Sequence, residues 1–181
     1  MSSYPCQLDA RTPKVLAIDD NRDNLTTVGA MLREALPGCT LVTAADGARG
    51  IELARAEDPD VVLLDILMPG MDGFEVCRRM KAEDGLCDLP VVFLTALGTD
   101  RESRLKALAV GGEGFLDKPP DQQELTAQIL AMAQLRAARR ARRLERDELA
   151  ALVAERTVEL ERSRESLRIL TGRMEMVREE E

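Results

Sequence analysis

Three aspartates follow apolar runs of the chain, and their spacing indicates shared chemistry. Asp19 and Asp20 come directly after VLAI (15–18), and Asp65 follows VVLL (61–64). If both runs are neighbouring parallel strands, their carboxyl ends lie at one edge of the sheet and the three carboxylates converge there. Two unit charges about 5 Å apart repel by about 3 kcal/mol at an effective dielectric of about 20. A cation must therefore offset the repulsion.

Two further strand ends supply groups that suit this cluster. Lys118 ends the last predicted strand and provides one positive charge, while Thr95 ends the fourth and provides a hydroxyl. A hard divalent cation with oxygen ligands, Mg²⁺ or Mn²⁺, would supply two more charges. A carboxylate nucleophile, a metal, an ammonium and a hydroxyl are the groups that hold a phosphoryl group during transfer.

Each of these residues also has an ordinary structural interpretation. An aspartate at the end of a strand is often a turn residue, and Asp20 alone would fit the N-cap of the next helix. Lys118 alone would fit a surface position, and Thr95 would fit a strand interior. All of them together, at the ends of the right strands, favour a functional site.

The elements that must position these residues follow from the apolar pattern. The runs are rich in β-branched residues and mostly do not alternate, as in strands buried on both faces. Helical patterns separate them, with predicted inward faces at Leu25, Val28, Leu32 and Leu36, at Ile51 and Ala54, and at Leu105, Leu108 and Ala109. The prediction is an α/β fold, a five-stranded parallel sheet of the flavodoxin-like (βα)5 type. Its strands are VLAI (15–18), TLVTA (40–44), VVLL (61–64), VVFLTA (91–96) and GFL (114–116).

The last helix is predicted to be unusually long. It begins after Lys118-Pro119-Pro120, with Asp121 and Glu124 in a capping-box-like arrangement, and no Pro or Gly follows until Gly172. A heptad seam with polar residues at two positions, Arg156 and Ser163, is formed by Leu149, Val153, Leu160, Leu167, Leu170, Met174 and Val177. Such a seam needs a partner helix, so we expect a parallel homodimer. The predicted division is a tail (1–13), the α/β domain (14–135) and a coiled-coil helix (136–181).

Composition excludes several classes of protein. The chain has no His, which rules out Ser-His and Cys-His nucleophile pairs and a phosphohistidine of its own. Its net charge is −8 and residues 1–135 are strongly acidic, so nucleic acid is not an expected partner there. No apolar run is long enough for a membrane span, and the four cysteines lack metal-ligand spacing. A reduced, cytoplasmic setting is the simplest interpretation.

Six arginines lie in RAARRARRLER (136–146), where they interrupt the heptad pattern. We interpret them first as a solvated, charged helix face. Contact with nucleic acid or a membrane is one alternative, and pairing with the acidic domain is another.

The motifs together resemble the receiver domain of bacterial response regulators over about residues 14–135. The resemblance rests on Asp19-Asp20, LLDILMPGMDGFE (63–75), LTA (94–96) and GFLDKP (114–119). It implies a phosphoacceptor, Asp65, which takes a phosphoryl group from a phosphohistidine of a kinase or phosphotransfer protein. It implies metal ligation by Asp20, Asp19, Asp65 and the backbone carbonyl of Leu67, phosphoryl contacts from Lys118 and Thr95, an aromatic switch at Phe115, and a cis peptide before Pro119.

Two positions depart from the pattern of well-known receivers. Leu67 lies two residues after Asp65, and Leu97 lies two residues after Thr95. In this family the side chains at these positions project near the water that hydrolyses the phosphoryl group. Neither leucine can orient that water, so the resemblance implies a long-lived phosphorylated state.

The helical tail resembles linkers that join a receiver to a downstream signalling module. Its last part resembles the segment before the phosphoacceptor helix of dimeric histidine kinases, so we expect the chain to be the N-terminal part of a hybrid sensor kinase. The alternatives are a diguanylate cyclase or phosphodiesterase output, or an output through the coiled coil itself. A phosphatase is disfavoured because such enzymes place an acidic residue where this chain has Leu67. A degenerate scaffold is disfavoured by intact Asp20, Asp65, Thr95 and Lys118.

Overall fold

The computed structural model describes residues 12–96 and 101–179, and their side chains for residues 12–95 and 101–168. The chain divides into two compact units, Met1–Arg139 and Arg140–Glu181. Strands and helices alternate in the order β1 (Lys14–Ile18), α1 (Arg22–Ala35), β2 (Thr40–Ala44), α2 (Gly47–Glu57), β3 (Val61–Asp65), α3 (Gly73–Ala82), β4 (Val91–Ala96), α4 (Arg101–Ala109), β5 (Gly114–Lys118) and α5 (Gln122–Glu179).

The five strands form one parallel sheet in the order β2-β1-β3-β4-β5. The predicted flavodoxin-like fold is therefore confirmed, and β1, β3 and β4 are its central strands. The whole of β3 is buried, which explains why its residues are apolar up to Asp65. All five strands end at one side of the sheet, called here the carboxyl edge, and begin at the other, the amino edge.

Alternation along the strands divides the core into two apolar layers. Leu16 and Ile18 belong to one layer, while Val15 and Ala17 belong to the other. Residues of α2 and α3 pack into the first layer, and residues of α1 and α5 pack into the second. Burying both faces of the sheet fixes its register, because a shift by one residue would exchange the two layers.

The predicted inward face of α4 is wrong. Leu105 and Leu108 are 56% and 54% exposed, and Ala109 is exposed as well. Ala107 is instead the fully buried residue of α4 and packs into the first core layer. A methyl group needs little room, so α4 contacts the sheet along a narrow strip and leaves its leucines in water.

Helix α3 was not delimited by its own sequence pattern, although five strand-helix units implied it. Asp72 caps it by accepting a hydrogen bond from the backbone N–H of Glu75 at 2.8 Å. Its inner face is fully buried at Val76, Cys77 and Met80. Packing of this face in the first core layer fixes the position of α3, and with it the end of the loop that follows Asp65.

Helix α5 begins as the sequence predicted and is 58 residues long. The carboxylate of Asp121 accepts hydrogen bonds from the backbone N–H groups of Gln123 and Glu124. Within the first unit, Leu125 and Ile129 are buried in the second core layer. The helix therefore starts at the carboxyl edge and runs toward the amino edge.

The first two arginines of the cluster at 136–146 are not a solvated face. Arg136 is only 4% exposed and its guanidinium lies 3.1 Å from a carboxylate oxygen of Asp58. Arg139 donates to a carboxylate oxygen of Glu113 at 2.7 Å and to the carbonyl oxygen of Asp88 at 3.3 Å. For these two residues, pairing with the acidic domain is the correct interpretation.

The described part of the second unit, residues 140–179, is a continuous stretch of helix. The seam residues Leu149, Val153, Leu160 and Leu167 are all more than half exposed in this single chain. Leu170, Met174 and Val177 lie within α5, but their side chains are outside the described residues. No described helix is long and apolar enough to span a membrane.

Candidate functional site: an acidic cluster at the carboxyl edge

The three predicted carboxylates come together at the ends of β1 and β3. Hydrogen-bonded pairing of these strands places Asp19, Asp20 and Asp65 side by side. One carboxylate oxygen from each lies within 4.8 Å of the others. Asp19 and Asp65 are buried, whereas Asp20 is exposed. The cluster is therefore open to solvent on the side of Asp20.

Lys118 reaches this cluster from the end of β5. Its ammonium nitrogen lies 2.6 Å from an oxygen of Asp19 and 2.7 Å from an oxygen of Asp65. One ammonium therefore lies among three carboxylates and pairs with two of them, which leaves a formal charge of −2. This excess is what a divalent cation would neutralise.

Asp19 is held by residues that the sequence analysis did not select. The side-chain amide of Asn24 donates to both oxygens of Asp19, at 3.2 Å and 3.0 Å. The backbone N–H of Asn21 donates to Asp19 at 2.8 Å. Asn24 lies in the first turn of α1. An amide side chain five residues after Asp19 was the available signal for this role.

Asp20 does not cap α1, because the N-cap is Asn21, whose side chain accepts from the backbone N–H of Asp23. Within residues 12–96 and 101–168, Asp20 makes no hydrogen bond or ion pair. Its exposed carboxylate therefore remains available to an incoming cation.

The environment of Asp65 shifts its acidity. Burial raises the pKa of Asp65, and the hydrogen bond from Lys118 opposes that rise without cancelling it. The negative charge of Asp19 also raises this pKa, whereas the backbone N–H of Leu67 lowers it. The ionised form of Asp65 is thus less favoured than in water and gains from any added positive charge.

The loop after Asp65 turns away through two glycines. Gly70 has a φ of +80°, in the left-handed region that L residues rarely adopt. A Cβ at Gly73 would lie 2.2 Å from the carbonyl oxygen of Asp65, so only glycine lets α3 begin this close to β3. Leu67 lies in the same loop, between Asp65 and Gly70, and is 74% exposed.

Thr95 is buried at the end of β4 and is the register partner of Asp117 on β5. Its hydroxyl donates a hydrogen bond to a carboxylate oxygen of Asp117 at 3.1 Å. Sequence reasoning selected Thr95 and Lys118 but not Asp117, although it immediately precedes Lys118.

Phe115 is partly buried and stacks on Phe93, with ring centroids 6.1 Å apart. The peptide bond between Lys118 and Pro119 is cis. Leu97 lies outside the described residues.

The donor set fits Mg²⁺ or Mn²⁺. The carboxylate oxygens of Asp19, Asp20 and Asp65 are hard ligands, and no His or Cys belongs to the cluster. The same edge supplies an ammonium at hydrogen-bond distance from the buried Asp65. An oxygen nucleophile beside an ammonium and a set of ligands for a divalent cation suits transfer of a phosphoryl group.

An acidic cluster with a lysine thus lies at the carboxyl edge of a parallel sheet, and comparison with known proteins identifies the family. The family model of the response regulator receiver domain matches residues 15–130. The chain therefore belongs to the response regulator receiver domain family.

Two curated relatives illustrate the extent of the match. Response regulator PleD of Caulobacter vibrioides is 36% identical over 123 residues, which are 68% of this chain and 26% of the relative. The transcriptional regulator RpaA of Synechocystis is 35% identical over 120 residues, which are 66% of this chain and 48% of the relative. This chain thus spans half or less of each.

Solved structures share the fold. A response regulator from Chloroflexus aurantiacus matches with a TM-score of 0.64 and 27% identity, covering 68% of this chain and 99% of that one. The receiver domain of sensor histidine kinase PA1611 from Pseudomonas aeruginosa matches with a TM-score of 0.61 and 27% identity, over 68% of this chain and 99% of that one. The latter structure has a magnesium ion coordinated in its active site cleft.

Proposed function

We propose that this receiver accepts a phosphoryl group on Asp65 from a phosphohistidine of a histidine kinase or phosphotransfer protein. The observation that carries the proposal is the buried carboxylate of Asp65, which lies 2.7 Å from Lys118 and beside two further carboxylates. An oxygen of Asp65 attacks phosphorus as the phosphorus–nitrogen bond to the donor imidazole breaks. The electron pair of that bond returns to the imidazole.

Other residues stabilise the negative charge of the phosphoryl group as it is transferred to Asp65. The ammonium of Lys118 pairs with phosphoryl oxygens, and the hydroxyl of Thr95 donates to one of them. Asp19, Asp20, Asp65 and the backbone carbonyl of Leu67 would hold Mg²⁺ or Mn²⁺. When bound, this cation supplies the positive charge that the acidic cluster lacks. Inward rotation of Phe115 follows the movement of Thr95.

Labelling with acetyl phosphate in Mg²⁺ tests the acceptor. We expect close to one phosphoryl group per wild-type chain and none on Asp65→Asn. Asp72→Asn is the matched control, since it makes the same chemical change seven residues further on and asparagine is also a good helix N-cap. Equal labelling of wild type and Asp65→Asn would refute the assignment.

We further propose that the phosphorylated state is long-lived, because Leu67 and Leu97 offer no polar group to the attacking water. Leu67→Asn is expected to shorten the half-life of the phosphorylated protein by about tenfold. Leu105→Asn makes the same change at an exposed leucine of α4 and is expected to leave it unaltered. A wild-type half-life of seconds would contradict the proposal.

The proposed output is a change in a parallel, dimeric coiled coil formed by residues 136–181, which follow the proposed receiver at 14–135 and a tail at 1–13. The support is that α5 continues from Gln122 to Glu179 and that its described seam residues Leu149, Val153, Leu160 and Leu167 are exposed in one chain. A second helix would bury them. Phosphorylation that alters α5 near the carboxyl edge would change the pairing of the coiled coil.

Sedimentation and paired substitutions test the dimer. Leu160→Lys lies on the seam and is expected to produce monomers, whereas Val158→Lys lies on the opposite side of the helix and is expected to preserve dimers. Spin labels on the coiled-coil segment, residues 136–181, should then report altered distances between the two helices when beryllofluoride is added. Unchanged distances would count against the relay.

For the larger protein, we propose a hybrid sensor histidine kinase with this receiver at its N-terminus. The alternative is a response regulator whose output is a diguanylate cyclase or phosphodiesterase module, or the coiled coil itself. Relatives of both kinds match, since one solved neighbour is a receiver of a histidine kinase and curated relatives are response regulators. A histidine-bearing helix encoded directly after Glu181 would favour the kinase, and a nucleotide-cyclase module there would favour the alternative.

A further inference from the structure

Asp117 contacts two elements that the proposed switch must move. Its Oδ1 atom accepts the hydroxyl hydrogen of Thr95, with 3.1 Å between the oxygens. The guanidinium of Arg104 on α4 lies 3.8 Å from the same atom. One carboxylate oxygen therefore joins the end of β4 to α4.

The bond between Thr95 and Asp117 is well protected, whereas the ion pair is not. Thr95 is 1% exposed, and it faces Asp117 directly in the register of β4 and β5. The side chains of Arg104 and Asp117 are each about half exposed. The charged hydrogen bond to Thr95 is therefore the stronger of the two contacts.

Helix α4 has little else to hold it against the sheet. Ala107 is its one buried residue among residues 101–109, and Leu105 and Leu108 project into solvent. A polar link from Arg104 to β5 can therefore influence where α4 lies.

The chemistry of a hydroxyl makes the two bonds of Thr95 exclusive. A threonine hydroxyl has a single hydrogen to donate. In this structure that hydrogen is directed to Asp117, so it cannot also reach a phosphoryl oxygen on Asp65. Phosphorylation of Asp65 would place a new anionic acceptor in competition with Asp117.

We propose that Asp117 is a positioning residue that holds the Thr95 hydroxyl in the unphosphorylated arrangement and couples its release to α4. This inference rests on the proposed function of Asp65. When Thr95 turns to the phosphoryl group, Asp117 loses its buried donor and remains linked to α4 only through the weaker, half-exposed pair with Arg104. Loss of Asp117 removes the competitor and favours the phosphorylated arrangement.

Affinity for beryllofluoride in Mg²⁺ tests the proposal on the full chain. Asp117→Ala is expected to bind beryllofluoride about fivefold more tightly than wild type, because the hydrogen bond from Thr95 to the charged Asp117 no longer has to be broken first. Asp117→Asn keeps an acceptor oxygen for Thr95, and its affinity should lie nearer the wild-type value. Arg104→Gln, which leaves the Thr95 bond intact, should change affinity less than Asp117→Ala.

A double-mutant cycle separates positioning from a general structural effect. In a Thr95→Val background there is no hydroxyl to hold, so Asp117→Ala should leave the affinity unchanged. The same gain in both backgrounds would overturn the proposal, as would unchanged affinity in Asp117→Ala alone. If wild type itself fails to bind beryllofluoride, the proposed function of Asp65 fails instead.

Discussion

The two edges of the sheet both carry partly buried ion pairs, yet their charges are arranged differently. At the carboxyl edge, a cluster of three carboxylates has one ammonium, that of Lys118, which pairs with two of them. At the amino edge, Glu113 lies between two cations, 2.9 Å from Lys81 and 2.7 Å from Arg139. The carboxyl edge therefore has an excess of negative charge, whereas at the amino edge two cationic donors meet one carboxylate.

The excess donors of the amino edge are satisfied by the backbone. Lys81 also donates to the carbonyl oxygen of Leu89 at 2.8 Å, and Arg139 donates to that of Asp88. The second oxygen of Glu113 accepts the backbone N–H of Val91 at 2.8 Å. This network joins α3, β4, β5 and α5 and needs nothing from outside.

Among the described residues, the carboxyl edge has no comparable network that balances its charges. Lys118 is the ammonium that contacts its buried carboxylates, and burial still raises the pKa of Asp65. Uncompensated charge of this kind lowers stability and is typical of sites that bind a ligand. The contrast indicates that the amino edge stabilises the fold, and it supports the proposal that the carboxyl edge binds a cation and accepts a phosphoryl group.

The largest effect on stability is expected at the amino edge. Glu113→Ala leaves Lys81, Arg139 and the N–H of Val91 without their shared acceptor, so the free energy of unfolding should fall by about 2–3 kcal/mol. Urea denaturation measures this change. Glu52→Ala, which removes an exposed pair with Arg49, is the control and should cost less than about 0.5 kcal/mol. Equal losses in both variants would remove the distinction between structural and surface pairs.

Binding of Mg²⁺ at the carboxyl edge is expected to stabilise the protein, in contrast to the loss of stability in Glu113→Ala. At ten times its dissociation constant, Mg²⁺ should raise the free energy of unfolding by about 1.4 kcal/mol. Asp20→Asn should abolish most of this gain. Asp58→Asn, at the amino edge, should retain it, and asparagine tolerates the positive φ of that residue. A gain that survives in Asp20→Asn would place the cation elsewhere.

A smaller stabilisation is expected when charge is removed from Asp65. In EDTA at neutral pH, Asp65→Asn should raise the free energy of unfolding by about 1 kcal/mol, because the cost of burying the charge, with some repulsion from Asp19, outweighs the lost pair with Lys118. Glu113→Gln, the same chemical change at the amino edge, should lower stability. If both substitutions destabilise the protein, the charge excess at the carboxyl edge is not a cost to the fold.

The difference in stability between wild type and Asp65→Asn should depend on pH, because the pKa of Asp65 is raised in the native state. Between the unfolded and native pKa values, the native state binds more protons at Asp65, so wild-type stability falls as pH rises through this window. The advantage of Asp65→Asn is therefore complete above the native pKa. It should vanish below the pKa of an unfolded aspartate, about 3.9.

Sequence reasoning predicted the parts of the molecule that depend on strand pattern. Continuous apolar runs identified the strands, and parallel order alone brought Asp19, Asp20, Asp65 and Lys118 to one edge. The partners Asn24 and Asp117 were not selected, because their roles depend on side-chain directions that periodicity does not encode.

The failures at α4 and at the arginine cluster have a common cause. Apolar spacing identifies a buried face only when a helix lies flat on the core, and α4 contacts it through Ala107. Conversely, a run of arginines normally indicates a solvated face, but Arg136 is buried where a carboxylate of Asp58 meets it. Tertiary contacts reversed the local pattern in both places.

Amide chemical shifts during a Mg²⁺ titration of the full chain test the central contrast most directly. The account predicts large, saturable shifts around Asp20, Asp65 and Leu67 at the carboxyl edge. It predicts no saturable shift around Val91 and Glu113 at the amino edge. Equal shifts at both edges, or the strongest shifts around Glu113, would contradict the assignment of one edge to chemistry and the other to stability.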